Sequence, residues 1–198
     1  KGLFIPNNQH IAFLYQKVHN LSLYLTLMIS TIKEDLKAYR KSNGKIQWDE
    51  PSIICVILYR IGHRIQKIKF TPIRIIFNII HLPFFFLFNT IIGIYIPRGA
   101  QIGGGLRIHH YGCIIINPDT IMGENCILRQ GFTIGTKNKD HDVPVIGNNV
   151  EFGAGAKVLG KIKIGNNVTI GANAVVLCDV PDNSIAVGIP AKIYPKKS

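Results

Sequence analysis

The chain has few cysteines, little charge and a shortage of acids, and each shortage excludes something. Its 198 residues include four cysteines (Cys55, Cys113, Cys126 and Cys178), far apart and without a C-x-x-C pair. That excludes a disulfide-dense secreted scaffold and a cysteine zinc cluster, and it reads as buried thiols in a reducing compartment such as the cytoplasm. Charged residues make up only 17% of the chain while 47% are hydrophobic, which excludes a disordered polycation and leaves ample material for a core. Acids are outnumbered 11 to 23, for a net charge of +12. Such a surplus suits an anionic partner, but no helix-turn-helix, zinc-finger or aromatic RNA-binding pattern accompanies it, so nucleic acid is not expected. Residues 1–30 also lack a basic n-region and a clear cleavage site, so no secretory signal is read there. The sequence starts at Lys1; Met28 opens a helical stretch and is a candidate initiator, which would make residues 1–27 an addition.

The first part of the chain, residues 1–94, reads as an α-helical region serving oligomerisation or lying near a membrane. Ile29, Ile32, Leu36 and Tyr39 recur at helical spacing over Ile29–Arg40, until Asn43-Gly44 stops the pattern. A second helix starts after Pro51 and runs through Ile54, Ile57, Leu58, Ile61 and Ile65, with Arg60, Arg64, Lys67 and Lys69 on a basic face. Then Ile75–Ile96 runs 22 residues without Asp, Glu, Lys or Arg. By length it passes as a membrane span, although Pro83, Gly93, Asn78, His81 and Asn89 predict a broken segment. A surface-lying segment and a connector buried in an oligomer are the other readings. The neighbouring cluster Arg60–Arg74 suits anionic headgroups and points to peripheral contact at the inner face of the membrane.

From residue 95 the texture changes to a six-residue repeat. Aliphatic starts fall at Ile96, Ile102 and Ile108, slip by two residues, and resume at Ile116, Met122, Leu128 and Ile134; they continue from Ile146 through Phe152, Val158, Ile164 and Ile170 to Val176. The fourth residue after most starts is small or aliphatic, as at Ala100, Leu106, Gly112, Val150, Ala156, Ile162, Val168 and Ala174. Three hexads, each a short strand and a turn, make one coil of a triangular solenoid whose aliphatic starts stack inward. The fold class predicted is mainly β: a left-handed parallel β-helix of hexapeptide repeats over 95–180, with the N-terminal α-helical region before it and a capping segment over 181–198. Residues 136–143 are polar and fit the repeat poorly while phase is kept on either side, so a loop is expected to project from one corner.

Several segments together carry a resemblance. They are Gly105-Leu106-Arg107-Ile108-His109-His110, Ile134-Gly135-Thr136, Phe152 through Gly160, and the ending Asp179 to Lys192, with Ile32–Leu36 and Leu58–Arg64 in front. This set resembles the serine acetyltransferase branch of the hexapeptide-repeat acyltransferases, a branch that includes enzymes acetylating hydroxyls of surface polysaccharides. The resemblance implies acetyl-CoA as co-substrate and no metal. His110 matches the catalytic histidine, a general base that takes the acceptor hydroxyl's proton as oxygen attacks the thioester carbonyl. Imidazole suits that task because it titrates near neutral pH. Gly135, Thr136, Gly153, Ala154, Lys157, Ala172 and Lys192 are the implied coenzyme A contacts, with Lys196 and Lys197 as further candidates for its phosphates. A homotrimer, with sites between neighbours, is also implied.

Adjacent His109 and His110 would alternate to opposite faces of a strand, which speaks against a shared metal and against the zinc-dependent, carbonic-anhydrase-like proteins of similar fold. The acceptor side departs from the family. The aspartate that precedes the catalytic histidine is replaced by His109, and a second one near the start of the β-helix by Tyr95. The Arg-His pair that grips the serine carboxylate falls on Asp142-Val143 in a loop two residues shorter, where His141 is a partial substitute. An acid in place of an arginine is electrostatically wrong for a carboxylate. The acceptor expected is therefore a sugar or polysaccharide hydroxyl rather than L-serine. A non-catalytic scaffold is the remaining reading.

Overall fold

The computed structural model describes residues 25–196. The reading of residues 1–27 and the phosphate role of Lys197 therefore fall largely or wholly outside the described residues. Among the described residues three helices precede the repeats: α1 over residues 25–38, α2 Ser52–Gln66 and α3 Thr71–Ile92. The uncharged run is thus not one element: α3 ends at Gly93, which takes φ +70°, and the chain passes at once into the first strand. Nor is α3 broken at Pro83, because that proline faces outward, where the carbonyl it leaves unbonded is not sealed in a protein core.

Fifteen short strands follow, from β1 Ile94–Tyr95 to β15 Lys192–Pro195. They form three parallel sheets, the walls of a triangular prism. The first holds β1, β4 (Ile114–Ile116), β7 (Thr133–Gly135), β10 (Lys157–Leu159) and β13 (Val175–Val176). The second holds β2 (Gln101–Ile102), β5 (Ile121–Met122), β8 (Val145–Ile146) and β11 (Lys163–Ile164). The third runs β3 (Arg107–His109), β6 (Ile127–Arg129), β9 (Glu151–Phe152), β12 (Thr169–Ile170) and β14 (Ser184–Val187), closed by antiparallel β15. Partners one coil apart lie 18 residues apart where the repeat is regular (Glu151 beside Thr169), 20 across the slip (Ile94 beside Ile114) and 24 across the loop (Thr133 beside Lys157). The hexad starts point inward and are buried; the Phe132 and Phe152 rings sit 4.6 Å apart on the axis.

A β-helix leaves its first coil with open backbone groups, and the helices satisfy them here. Tyr59 Oη donates to the Ala100 carbonyl at 2.7 Å and Ser52 Oγ to that of Ile108 at 2.9 Å. The Ile108 and Leu106 N–H groups donate to Tyr39 Oη and Asp35 Oδ1, both at 2.9 Å. Arg60 forks onto the Asp35 carboxylate at 2.8 and 3.0 Å, both side chains buried, and reaches the Ile102 and Gly103 carbonyls. The Asp35 and Tyr59–Arg60 motifs are therefore docking pegs, and Gly62 is bare because a Cβ there would meet Arg98 Cδ at 2.4 Å.

The cysteines divide. Cys55 and Cys126 are buried, their thiols pushed up by burial to about 12 and about 11, whereas Cys113 and Cys178 are exposed. The expectation of four buried thiols fails for these two because both sit at prism corners, outside the inward-facing hexad positions.

Candidate active site

The two-residue slip between Ile108 and Ile116 becomes a swollen corner between the third and first sheets. Its residues His110-Tyr111-Gly112-Cys113 include three with positive φ: His110 at 63°, Gly112 at 101° and Cys113 at 54°. Left-handed backbone is unfavourable for a residue with a Cβ and marks a held conformation. It also corrects the alternation argument: β3 ends at His109, so His110 is not the next strand residue, and the two rings stand 6.4 Å apart. Among the described residues there is no group of three or more His, Cys, Asp or Glu able to hold a metal ion.

His110 projects into the open from this corner, while His109 is half-buried on the outer wall opposite Arg129. Burial pushes the His109 imidazole down, helped by the Arg107 and Arg129 cations, so its neutral form is favoured. Arg129 is itself held by Glu151 at 2.7 Å. Neither nearby carboxylate in the sequence orients His110. Asp119 binds His141 Nδ1 at 2.5 Å, and Glu124 lies between β5 and β6, on a different corner from His110.

The predicted donor residues separate into groups. Ala154 and Ala172 stack beneath the His110 corner, where the Asn173 N–H donates to the Ala154 carbonyl at 2.8 Å. Lys157 is committed by its ammonium to the Gly131 carbonyl on the same corner. Gly153 is explained by packing, since a Cβ would strike the Ala172 nitrogen at 2.4 Å. Gly135 is not: a Cβ there would meet only Leu159 Cδ2, at 3.7 Å. A glycine that the fold does not demand leaves a Cβ-sized space beside the loop base, as an approaching pantetheine arm requires. Lys192 is exposed on β15.

The loop over 136–143 projects between the first and second sheets, one whole wall away from His110. It carries Thr136, His141 and Asp142, the last half-buried. Hydrogen bonding and the charge of Asp119 raise the fully exposed His141 imidazole above its ordinary range. Tyr95 is exposed on the first sheet, beside Ile115. One chain therefore does not bring His110 together with Gly135, Thr136, His141 or Asp142. Two surface cavities, of 360 and 470 Å³, also lie elsewhere.

Three stacked walls of hexads with a histidine held on a swollen corner define a hexapeptide-repeat transferase, and comparison with known proteins agrees. Residues 144–178 match the family described as bacterial transferase hexapeptide (six repeats). Serine acetyltransferase of Helicobacter pylori strain J99 is 41% identical over 150 residues, 74% of this chain and 82% of that protein. The Escherichia coli K12 protein provisionally named colanic acid biosynthesis acetyltransferase WcaB is 35% identical over 170 residues, covering 81% and 96%. Against the serine acetyltransferase of Synechococcus elongatus (37% identical, 72% of this chain) the match spans 57% of the relative's length. Among solved structures, Neisseria gonorrhoeae serine acetyltransferase superposes with a TM-score of 0.71 at 28% identity, over 87% of this chain and 67% of that one. A serine acetyltransferase complex with CoA gives 0.71 at 26%, over 90% and 74%. The chain belongs to the hexapeptide-repeat acyltransferases, in their serine acetyltransferase branch.

Proposed function

We propose that this acyltransferase moves an acetyl group from acetyl-CoA to a hydroxyl of a surface-polysaccharide sugar, in the cytoplasm, with His110 as general base. Acetyl-CoA supplies an activated thioester carbonyl. His110 accepts the acceptor hydroxyl's proton as the new C–O bond forms, and returns it to the coenzyme's sulfur as the C–S bond breaks. No acyl-enzyme is needed. Gly135 and the Ala154–Ala172 column would line the pantetheine arm, with Lys192 toward the phosphates. Because these lie on two corners, the reading includes a homotrimer in which one copy's His110 corner faces a neighbour's loop.

The observation that carries the sugar acceptor is the loop. Where a serine-binding enzyme of this branch needs a cationic grip, this loop presents Asp142, and its one histidine is tied to Asp119. Near-complete coverage of the colanic acid relative supports the same reading. The test follows loss of thioester absorbance, a readout that avoids thiol reagents reacting with exposed Cys113 and Cys178, using L-serine and a panel of sugars and oligosaccharides. Sugar-dependent turnover that falls about 10²–10⁴-fold in His110→Ala is expected. Serine-dependent turnover would overturn the acceptor assignment in favour of serine O-acetylation. Absence of both turnover and coenzyme A binding would leave only a scaffold.

A further inference from the structure

We propose that the outer face of α3 docks this protein flat onto an anionic phospholipid bilayer. The inference does not depend on the acetyl acceptor. One side of α3 (His81, Phe85, Asn89 and Ile92) is buried against the body of the protein. The opposite side presents Ile76, Ile79, Ile80, Phe86, Leu87 and Ile91, between 54% and 71% exposed. So large a contiguous apolar face is unstable in water without a cover.

Three observations identify the cover. First, α3 is long and apolar enough to cross a membrane, yet it is tied down along its length. Asn78 Oδ1 accepts from Arg98 Nη1 at 2.7 Å, His81 Nε2 donates to the Leu58 carbonyl at 2.8 Å, and Gly93 leads straight into β1. Only residues 71–77, about 10 Å of helix, precede the first tether, against a hydrocarbon core of about 30 Å. The helix therefore lies along the membrane rather than across it. Second, Pro83 points outward, and the backbone carbonyl it leaves without a helical partner needs the polar headgroup boundary, not the bilayer centre. Third, the charge is one-sided. No Asp or Glu occurs between Glu50 and Asp119, while Arg64, Lys67, Lys69 and Arg74 gather at the α2–α3 turn. Arg60 alone of the α2 cations is neutralised, by buried Asp35. A second copy of the chain would bring the same unneutralised cations to the contact; an anionic lipid surface complements them.

The test is co-sedimentation of the full 198-residue chain with vesicles of phosphatidylcholine, alone or with phosphatidylglycerol. Binding is expected only with phosphatidylglycerol. It should fall at least about tenfold in Ile80→Glu/Leu87→Glu, whose side chains face away from the core. In Lys67→Gln/Lys69→Gln/Arg74→Gln it should fall about fivefold per cation lost, an effect that high salt erases. A Phe86→Trp variant gives an independent readout, since its emission should shift blue on adding anionic vesicles. Four results would overturn the proposal: no pelleting and no shift, equal binding to phosphatidylcholine alone, or full binding by the glutamate variant, which would mean simple charge adsorption. The fourth is a glutamate variant that sediments as a smaller assembly with no wild-type lipid binding, which would make the face a contact between copies.

Discussion

Gly153 and Gly135 look alike in sequence, each following an aliphatic hexad start, yet the fold treats them differently. Gly153→Ala forces a Cβ to within 2.4 Å of the Ala172 backbone, so the melting temperature should drop by several degrees. Gly135→Ala meets nothing closer than 3.7 Å. It should leave melting unchanged while raising KM for acetyl-CoA, and an unchanged KM would remove Gly135 from the donor site. His141 offers a second test at this scale. Asp119 holds its imidazole above the ordinary value, so the ion pair stabilises the loop base at low pH and is lost as pH rises through the raised pKa. In a proton NMR titration, Asp119→Asn should move the His141 midpoint down toward that of a free imidazole. Thiol labelling of the native chain should modify Cys113 and Cys178 quickly and leave Cys55 and Cys126 untouched until unfolding.

At the scale of elements, the helical region and the prism meet through a few buried polar side chains. The Asp35–Arg60 pair is the centre of that junction, satisfying backbone groups of the first coil as well as each other. Removing one partner leaves a buried charge alone, so Asp35→Ala should cost about 3–5 kcal/mol, measured by denaturant unfolding. Phe152→Ala, which empties half of an aromatic stack, should cost a similar ~3–5 kcal/mol but leave the helical docking intact. The helical motifs Ile32–Leu36 and Leu58–Arg64 were recognisable in the sequence; their purpose as pegs was not, because Asp35 and Leu106 are 71 residues apart.

For the whole molecule, the arrangement of corners matters more than any pocket. His110 lies on one corner and the 136–143 loop on the next, so one chain keeps apart the residues to which the proposed reading gives a role. On the proposed reading, sedimentation should give a trimer, and mixing inactive His110→Ala chains with inactive chains lacking the loop should restore activity in hybrid assemblies. If the lipid docking proposed for α3 holds, the exposed apolar face adds a second whole-molecule property, an orientation relative to a bilayer.

The hexad rhythm alone determined the prism, since inward aliphatic residues every six positions can bury themselves in no other way, and even the two-residue slip and the loop kept their places in it. The motif also singled out His110 as the candidate base, a role that the His110→Ala comparison tests. What tertiary structure decided was relation. It turned the slip into a swollen corner with His110 in left-handed backbone, and it left α3 unbroken at Pro83, because a missing N–H on an outward face does not strand a carbonyl in the core. It also set Asp119 against His141, since partners 22 residues apart meet only where the solenoid has turned through a full coil. Periodicity fixes which way a side chain points; which distant neighbour it meets depends on how many residues each coil takes to close.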